Sequence, residues 1–495
     1  MKPQRSTQRS QRTQSHLVWV CSAIAALTVA AGVAVLAQGP RTPDWKGLEN
    51  ETMQHFQALL RLDTSNPPGN EKLATDYLQR VFEREGIPAR VFALDPNRPN
   101  LVARIKANRG NGSKRPILLM GHTDVVTVDP KEWTFPPFSA TRDGGYVYSR
   151  GSLDDKPHVV AGLMILLELK RLNVPLDRDV IFLAEASEEG STSGAPPPGI
   201  DFLVNQHHDE IDAEYCLAEG GVVTRTGGKV TFAAVQTLEK NPRAIELIAR
   251  GISGHASIPL ADNPVVHLAA AVAAVGRWRA PIRLNETTTE YFKRLAAISS
   301  GEEAERYRSI LTPGSPKGKE ADDYFALHEP RFAAMLRTTV TPTIVAGGYR
   351  INVIPSEAKA TLDVRMMPDE DPVRFLELVR QVVNDPAVTV AYGQRTARPI
   401  GKSARLNSEA FAAIEAAVTR HYETPTLPMM GTGATDMSQV RAKGTECYGI
   451  SPASDSEDGP KGFGAHSDQE RILESELHRF VRFEWDVVSS LAAAK

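Results

Sequence analysis

Ile117-Leu118-Leu119-Met120-Gly121-His122-Thr123-Asp124 runs four apolar residues straight into a glycine, a histidine and an aspartate. A short, uninterrupted apolar run fits a strand buried on both faces. Val180-Ile181-Phe182-Leu183-Ala184 is a second such run and ends at Glu185. Between the two, residues 159–172 carry the apolar spacing of a helix. Strand, helix and strand in that order predict an α/β layered domain with mostly parallel strands. Functional groups are expected to gather where those strands end.

The flanking sequence organises around this unit. Upstream, a helical pattern over residues 53–61 leads into Asp63-Thr64-Ser65-Asn66-Pro67-Pro68-Gly69, a loop by its turn residues. Downstream, the texture changes at Asn241-Pro242. Ala244-Ile245-Glu246-Leu247-Ile248-Ala249-Arg250 and Ala358-Lys359-Ala360-Thr361-Leu362-Asp363-Val364-Arg365 alternate like half-exposed strands, and residues 372–383 read as an amphipathic helix. A second, α+β domain is expected there. Residues 285–337 are charged and helical in pattern, broken by Pro313-Gly314-Ser315-Pro316, and carry no motif to which a function attaches.

With 495 residues, 41% of them hydrophobic, the chain has apolar material for two or three domains. A net charge of -3, from 57 basic and 60 acidic residues, provides no broad basic field for a nucleic acid. A small molecule or peptide is the better partner. Cys21, Cys216 and Cys447 are too few for a disulfide framework and lack zinc-ribbon spacing, so any metal must rely on histidine and carboxylate. At the N-terminus, Lys2, Arg5, Arg9 and Arg12 precede an uncharged apolar run over residues 17–37. The run is long enough to anchor in a membrane, and its end also suits a cleaved export signal. In either case the remainder of the chain is expected outside the cytoplasm, anchored in the cell envelope, periplasmic or secreted.

Five short groups carry polar chemistry. In His122-Thr123-Asp124, alternation puts both side chains on one side of a strand end, where Asp124 can fix the imidazole tautomer that offers a lone pair to a metal. Alone, such a pair is more often a satisfied structural histidine. Asp154 and Asp155 precede the central helix and would serve simply as helix caps. Glu188-Glu189, after the second apolar run, would ordinarily be a solvated surface pair. Glu219-Gly220-Gly221 and Gly464-Ala465-His466-Ser467-Asp468 complete the set.

Taken together and in this order, the five groups resemble the M20 family of metallopeptidases and amidohydrolases, which includes glutamate carboxypeptidase, aminoacylase and succinyl-diaminopimelate desuccinylase. The resemblance extends from Trp45 to the C-terminus, including Asn66-Pro67-Pro68-Gly69 and Asn352-Val353-Ile354-Pro355-Ser356-Glu357-Ala358. It implies a zinc-peptidase-like layered α/β catalytic domain with an inserted α+β, ferredoxin-like lid and dimerisation domain. Residues 1–44 would form the N-terminal segment, 45–241 and 399–495 the two parts of the catalytic domain, and 242–398 the lid.

The resemblance also implies two Zn2+ per chain, with Co2+ or Mn2+ as substitutes. His122, Asp154 and Glu219 would hold one ion, and Asp154, Glu189 and His466 the other. Asp154 would bridge them, with a cis peptide bond to Asp155. Glu188 would act as general base beside Asp124, and His255, Asn352, Arg365 and Thr435 would bind substrate. His255 would reach a neighbouring subunit's site in a homodimer formed through the lid. The implied reaction is cleavage of a peptide or amide bond next to a free carboxylate, in a dipeptide or in an N-acyl amino acid. A silent metal-binding protein of the same fold is the alternative from another class, and the presence of every ligand position argues against it. Ser187, Ala434 and Gln469 depart from the family pattern without removing a ligand.

Overall fold

Among the described residues a ten-stranded sheet forms the larger layer, and its four central strands are parallel. Ile117–His122 lies between Val180–Glu185 and Tyr215–Ala218, and Glu446–Gly449 continues the set beyond Tyr215–Ala218. Asn100–Ile105 and Ala89–Phe92 add antiparallel strands on one margin. Lys229–Glu239 and Val222–Thr226 form the other margin, and Thr426–Gly431 runs parallel to Lys229–Glu239. The computed structural model describes Met1 and residues 42–110, 112–190, 199–394 and 398–494. The apolar run at 17–37 lies outside the described residues. Among those described, no helix is long and apolar enough to cross a membrane.

Strand alternation divides the core. Leu119, Phe182 and Leu217 enter one hydrophobic cluster, while Leu118, Met120, Ile181, Leu183, Cys216 and Cys447 enter another on the opposite face. Every residue of Ile117–His122 and Val180–Glu185 is buried, which explains why neither run alternates in sequence. The helix Lys156–Arg171, anticipated at 159–172, packs on the first cluster and is buried for nearly all its length. At Gly162 a β-carbon would stand 2.5 Å from the Phe182 ring, so the glycine sets how closely this helix approaches the sheet.

The smaller sheet has four antiparallel strands, in the order Thr339–Gly347, Glu357–Met366, Asn241–Arg250, Val388–Tyr392. Helices Pro264–Arg277 and Pro372–Val383 share its apolar core. Along the chain this is strand, helix, strand, strand, helix, strand, the ferredoxin-like arrangement.

The charged insert forms four helices, Glu286–Ile298, Gly301–Ser309, Pro316–His328 and Pro330–Met335. It sits in the first crossover of the smaller domain, yet its apolar side packs on the larger sheet. Phe292, Leu295, Tyr307 and Phe325 join Ala234, Leu238, Leu427, Met429 and Met430 in one cluster. The insert therefore covers the Lys229–Glu239 and Thr426–Gly431 margin.

Candidate metal centre

The carboxyl ends of the parallel strands deliver the polar groups. His122 is the last residue of its strand, Glu188 and Glu189 follow Val180–Glu185, and Glu219 comes directly after Tyr215–Ala218. Asp154 arrives from the loop before Lys156–Arg171, and the Asp154-Asp155 peptide bond is cis, as the family resemblance implied. His466 comes from the loop before Arg471–Leu473 and adopts a left-handed backbone, φ 63°.

Asp154 sits between the two histidines. Its Oδ1 lies 2.9 Å from His122 Nε2 and its Oδ2 3.2 Å from His466 Nε2. His466 Nε2 is also 3.0 Å from Glu189 Oε1. Ligand atoms of His122, Asp154 and Glu189 fall within 4.8 Å of one another, as do those of His122, Glu188 and Glu219.

The His122 tautomer follows from its other nitrogen. Nδ1 is 3.0 Å from the Asp124 carbonyl, which can only accept, so Nδ1 carries the hydrogen and Nε2 faces the cluster. The sequence suggested the Asp124 carboxylate for this task, but that group stands 3.5 Å away. It accepts instead from the backbone N–H of Glu188 at 3.1 Å, that of Glu189 at 3.2 Å, and the Asn66 side chain at 2.8 Å. Ser187, with φ 68°, makes the turn that aims both amides at Asp124. Asp155 stands at the N-cap of the helix, but its carboxylate makes no capping hydrogen bond. Its carboxylate accepts from the His122 backbone N–H and pairs with His158, tying the helix start to the strand end.

Electrostatically the cluster calls for cations. Burial, then repulsion from Asp436, holds Glu188 well above the ordinary carboxylate range. Burial and the Glu188 and Asp154 charges do the same to Glu219. Burial works against ionisation of Asp154, yet hydrogen bonds from His122 and His466 hold it well below its usual value. The Asp154 and Glu189 carboxylates push His466 up to about 10. Buried carboxylates this close are tolerable only when protonated or neutralised. Two divalent ions would offset Asp154, Glu189 and Glu219, and oxygen and imidazole nitrogen donors suit zinc. The residues present therefore fit a pair of metal ions.

The structure does not bring every predicted residue together. His255 is exposed and its Nδ1 lies 2.7 Å from the Ser257 hydroxyl, while the Ala256 N–H donates to the Asn352 carbonyl at 3.0 Å. Both belong to one end of the smaller domain, and neither hydrogen bonds to the cluster among the described residues. Arg365 is half-buried and donates through Nε to Asp363 at 2.7 Å. Thr435 is buried, and its hydroxyl is committed to Glu239 at 2.8 Å.

Other residues at the site went unnoticed in the sequence. Arg398 stands 3.4 Å from Glu188 and 2.9 Å from Asp436. Glu470 accepts from the backbone N–H of Leu153 at 2.7 Å and of Asp154 at 3.2 Å, and pairs with Arg150 at 2.6 Å. Glu470, directly after Gln469, thus holds the loop that carries Asp154.

Comparison with known proteins agrees with this geometry. The chain is 28% identical over 341 residues to a probable succinyl-diaminopimelate desuccinylase of Staphylococcus aureus (strain Mu50 / ATCC 700699), covering 68% of this chain and 74% of the relative. It is 30% identical over 280 residues to the human N-fatty-acyl-amino acid synthase/hydrolase PM20D1, covering 56% and 54%. The fold matches the crystal structure of an M20 family metallo-carboxypeptidase, Sso-CP2 from Sulfolobus solfataricus, with a TM-score of 0.65 at 20% identity, covering 88% of this chain and 98% of that one. Residues 118–489 match the model of peptidase family M20/M25/M40, and the chain is an enzyme belonging to that family.

Proposed function

We propose that the chain is a two-zinc hydrolase cleaving a peptide or amide bond next to a free carboxylate. The observation that carries this is Asp154, whose two oxygens each face a different histidine nitrogen. His122, Asp154 and Glu219 would hold one ion, and Asp154, Glu189 and His466 the other. When bound, the ions supply Lewis acidity at the scissile carbonyl and lower the pKa of water.

The chain's own groups do the rest. Glu188 accepts a proton from the attacking water and returns it to the leaving nitrogen. Asp124 fixes the peptide units of both paired glutamates, and Glu470 fixes the backbone of Asp154. On the lid side, Arg365 lies near the buried Lys240, whose ammonium is lowered to about 7 by burial and by the charges of Arg337 and Arg365. A basic neighbourhood of this kind suits a substrate carboxylate, with Arg365 as the planar partner; His255 and Asn352 stand together at the opposite end of this sheet.

An N-acyl amino acid presents the same bond next to the same carboxylate, and the name of the human relative says that it handles such compounds. The basic and then apolar N-terminal sequence supports a position outside the cytoplasm, anchored or released. The test is a panel of dipeptides and N-acyl amino acids assayed beside their C-terminal amides. Masking the carboxylate should cost about 10²-fold in kcat/KM, since its charge-assisted hydrogen bonds are then lost. Equal cleavage of acid and amide would overturn the proposal.

A further inference from the structure

The loop that delivers His466 is the least enclosed part of the cluster. His466 is exposed, whereas His122 is buried and Asp154, Glu189 and Glu219 are half-buried. The loop runs from Asp458 to Arg471 and includes Gly459, Gly462 and Gly464, with Gly462 at positive φ. A chain of this composition has much conformational freedom to lose on being fixed. The contacts that fix it join its two ends, and they centre on Arg471.

The guanidinium carbon of Arg471 lies 3.9 Å from the ring centre of Tyr146 and 3.9 Å from that of Phe463. Nη2 donates to Asp458 at 2.7 Å and Nη1 to the Tyr148 hydroxyl at 3.0 Å, while the backbone N–H donates to the Phe463 carbonyl at 3.1 Å. Asp458 and Phe463 lie in the first half of the loop, and Tyr146 and Tyr148 on the strand that pairs with Arg471–Leu473. One side chain therefore closes the loop on itself and fastens it to a strand. Asp458 is buried, and Arg471 is the cation that offsets its charge. A lysine would keep this pair but could not also stack between two rings and donate to Tyr148, which takes a planar cation with several donors. Glu470, the residue before, holds the Leu153 and Asp154 amides. Consecutive residues thus serve Asp154 and His466, whose facing atoms are 3.2 Å apart.

We infer that Arg471 is a positioning residue for His466, clasping its loop so that the imidazole can share an ion with Asp154 and Glu189. This rests on the two-zinc reading proposed above. The side-chain hydrogen bonds of Arg471 go to Asp458 and Tyr148 and none reaches the cluster among the described residues, so its effect passes through the histidine.

The test is calorimetric zinc titration of the metal-free protein as wild type, Arg471→Lys, His466→Ala and the double variant. The wild type should take up two ions. Arg471→Lys should keep one at wild-type affinity and bind the other about 10- to 100-fold more weakly, the usual effect of losing a group that orients a ligand. His466→Ala marks which ion that is. Adding Arg471→Lys to it should leave the remaining ion's affinity unchanged, because the arginine acts only through the histidine. Wild-type affinity for both ions in Arg471→Lys overturns the positioning role and leaves the two-zinc reading standing. Equal weakening of both ions, or a further loss in the double variant, does the same by marking a general structural role. A wild type that takes up one ion or none overturns the two-zinc reading and the clasp with it. Should Arg471→Lys fail to fold, Phe463→Leu decides, since it removes one ring from a half-buried position and leaves the Asp458 pair; selective loss of the same ion supports the clasp, and wild-type affinity for both overturns it.

Discussion

Glu188 and Glu189 are neighbours in sequence with different surroundings. Glu189 faces His466 at 3.0 Å, whereas Glu188 faces Arg398 and comes within reach of His122 and Glu219. What separates them is the turn at Ser187 and the Asp124 carboxylate, which accepts from both backbone amides. Glu188→Gln preserves shape and removes the proton acceptor, so turnover should fall about 10²- to 10⁴-fold with both metals retained. Glu189→Gln should instead loosen one metal. Steady-state kinetics with metal analysis of each variant checks this, and near wild-type turnover in metal-loaded Glu188→Gln would reverse the assignment.

Elements meet at this site through loops that the sequence separates widely. Glu470 and the Leu153 N–H it holds are 317 residues apart. Glu470→Ala should lower metal affinity about 10- to 100-fold, as loss of a group supporting a ligand does, with the fold unchanged. Calorimetric metal titration checks it, and unchanged affinity would show that the Asp154 loop holds itself in place. The same separation explains what sequence reading missed. His122, Asp154, Glu188, Glu189, Glu219 and His466 each sit inside a local motif, and the buried strands and the alternation of the second domain were equally local signals. Arg398 lies 210 residues from Glu188 with no motif around it. Asp124 and Asp155 were found, but the Glu188 amide and the His158 ring that they also hold come to them only through the fold. The insert's helical pattern was visible, but its attachment to the larger sheet depends on residues near 234 and 429.

For the whole molecule, two features govern stability and assembly. Glu484, on the C-terminal helix Glu474–Ala492, is fully buried, and burial pushes its carboxyl up to about 7 despite the nearby His158. A carboxyl raised in the fold binds a proton that the unfolded chain gives up sooner, so stability falls as pH rises from the ordinary glutamate value through about 7. Glu484→Gln should abolish that part of the fall, on the order of 3 kcal/mol, in denaturant unfolding followed across pH. Parallel wild-type and variant profiles would contradict it. His255 is exposed on the lid and away from its own chain's cluster, and the edge strand Thr339–Gly347 exposes Ile344 and Val345. We propose that a second copy covers this edge and receives His255. Mixing inactive Glu188→Gln and His255→Ala chains should then restore activity, because one site in each mixed dimer is complete. Failure after verified subunit exchange would place His255 in its own chain's site.

The central claim is that the groups around Asp154 hold a pair of metal ions, and elemental analysis of the purified, active protein measures this most directly. Two zinc ions per chain, both lost with activity on chelation and both regained with it, is the predicted result. Full activity at one ion per chain, or with none, would contradict it.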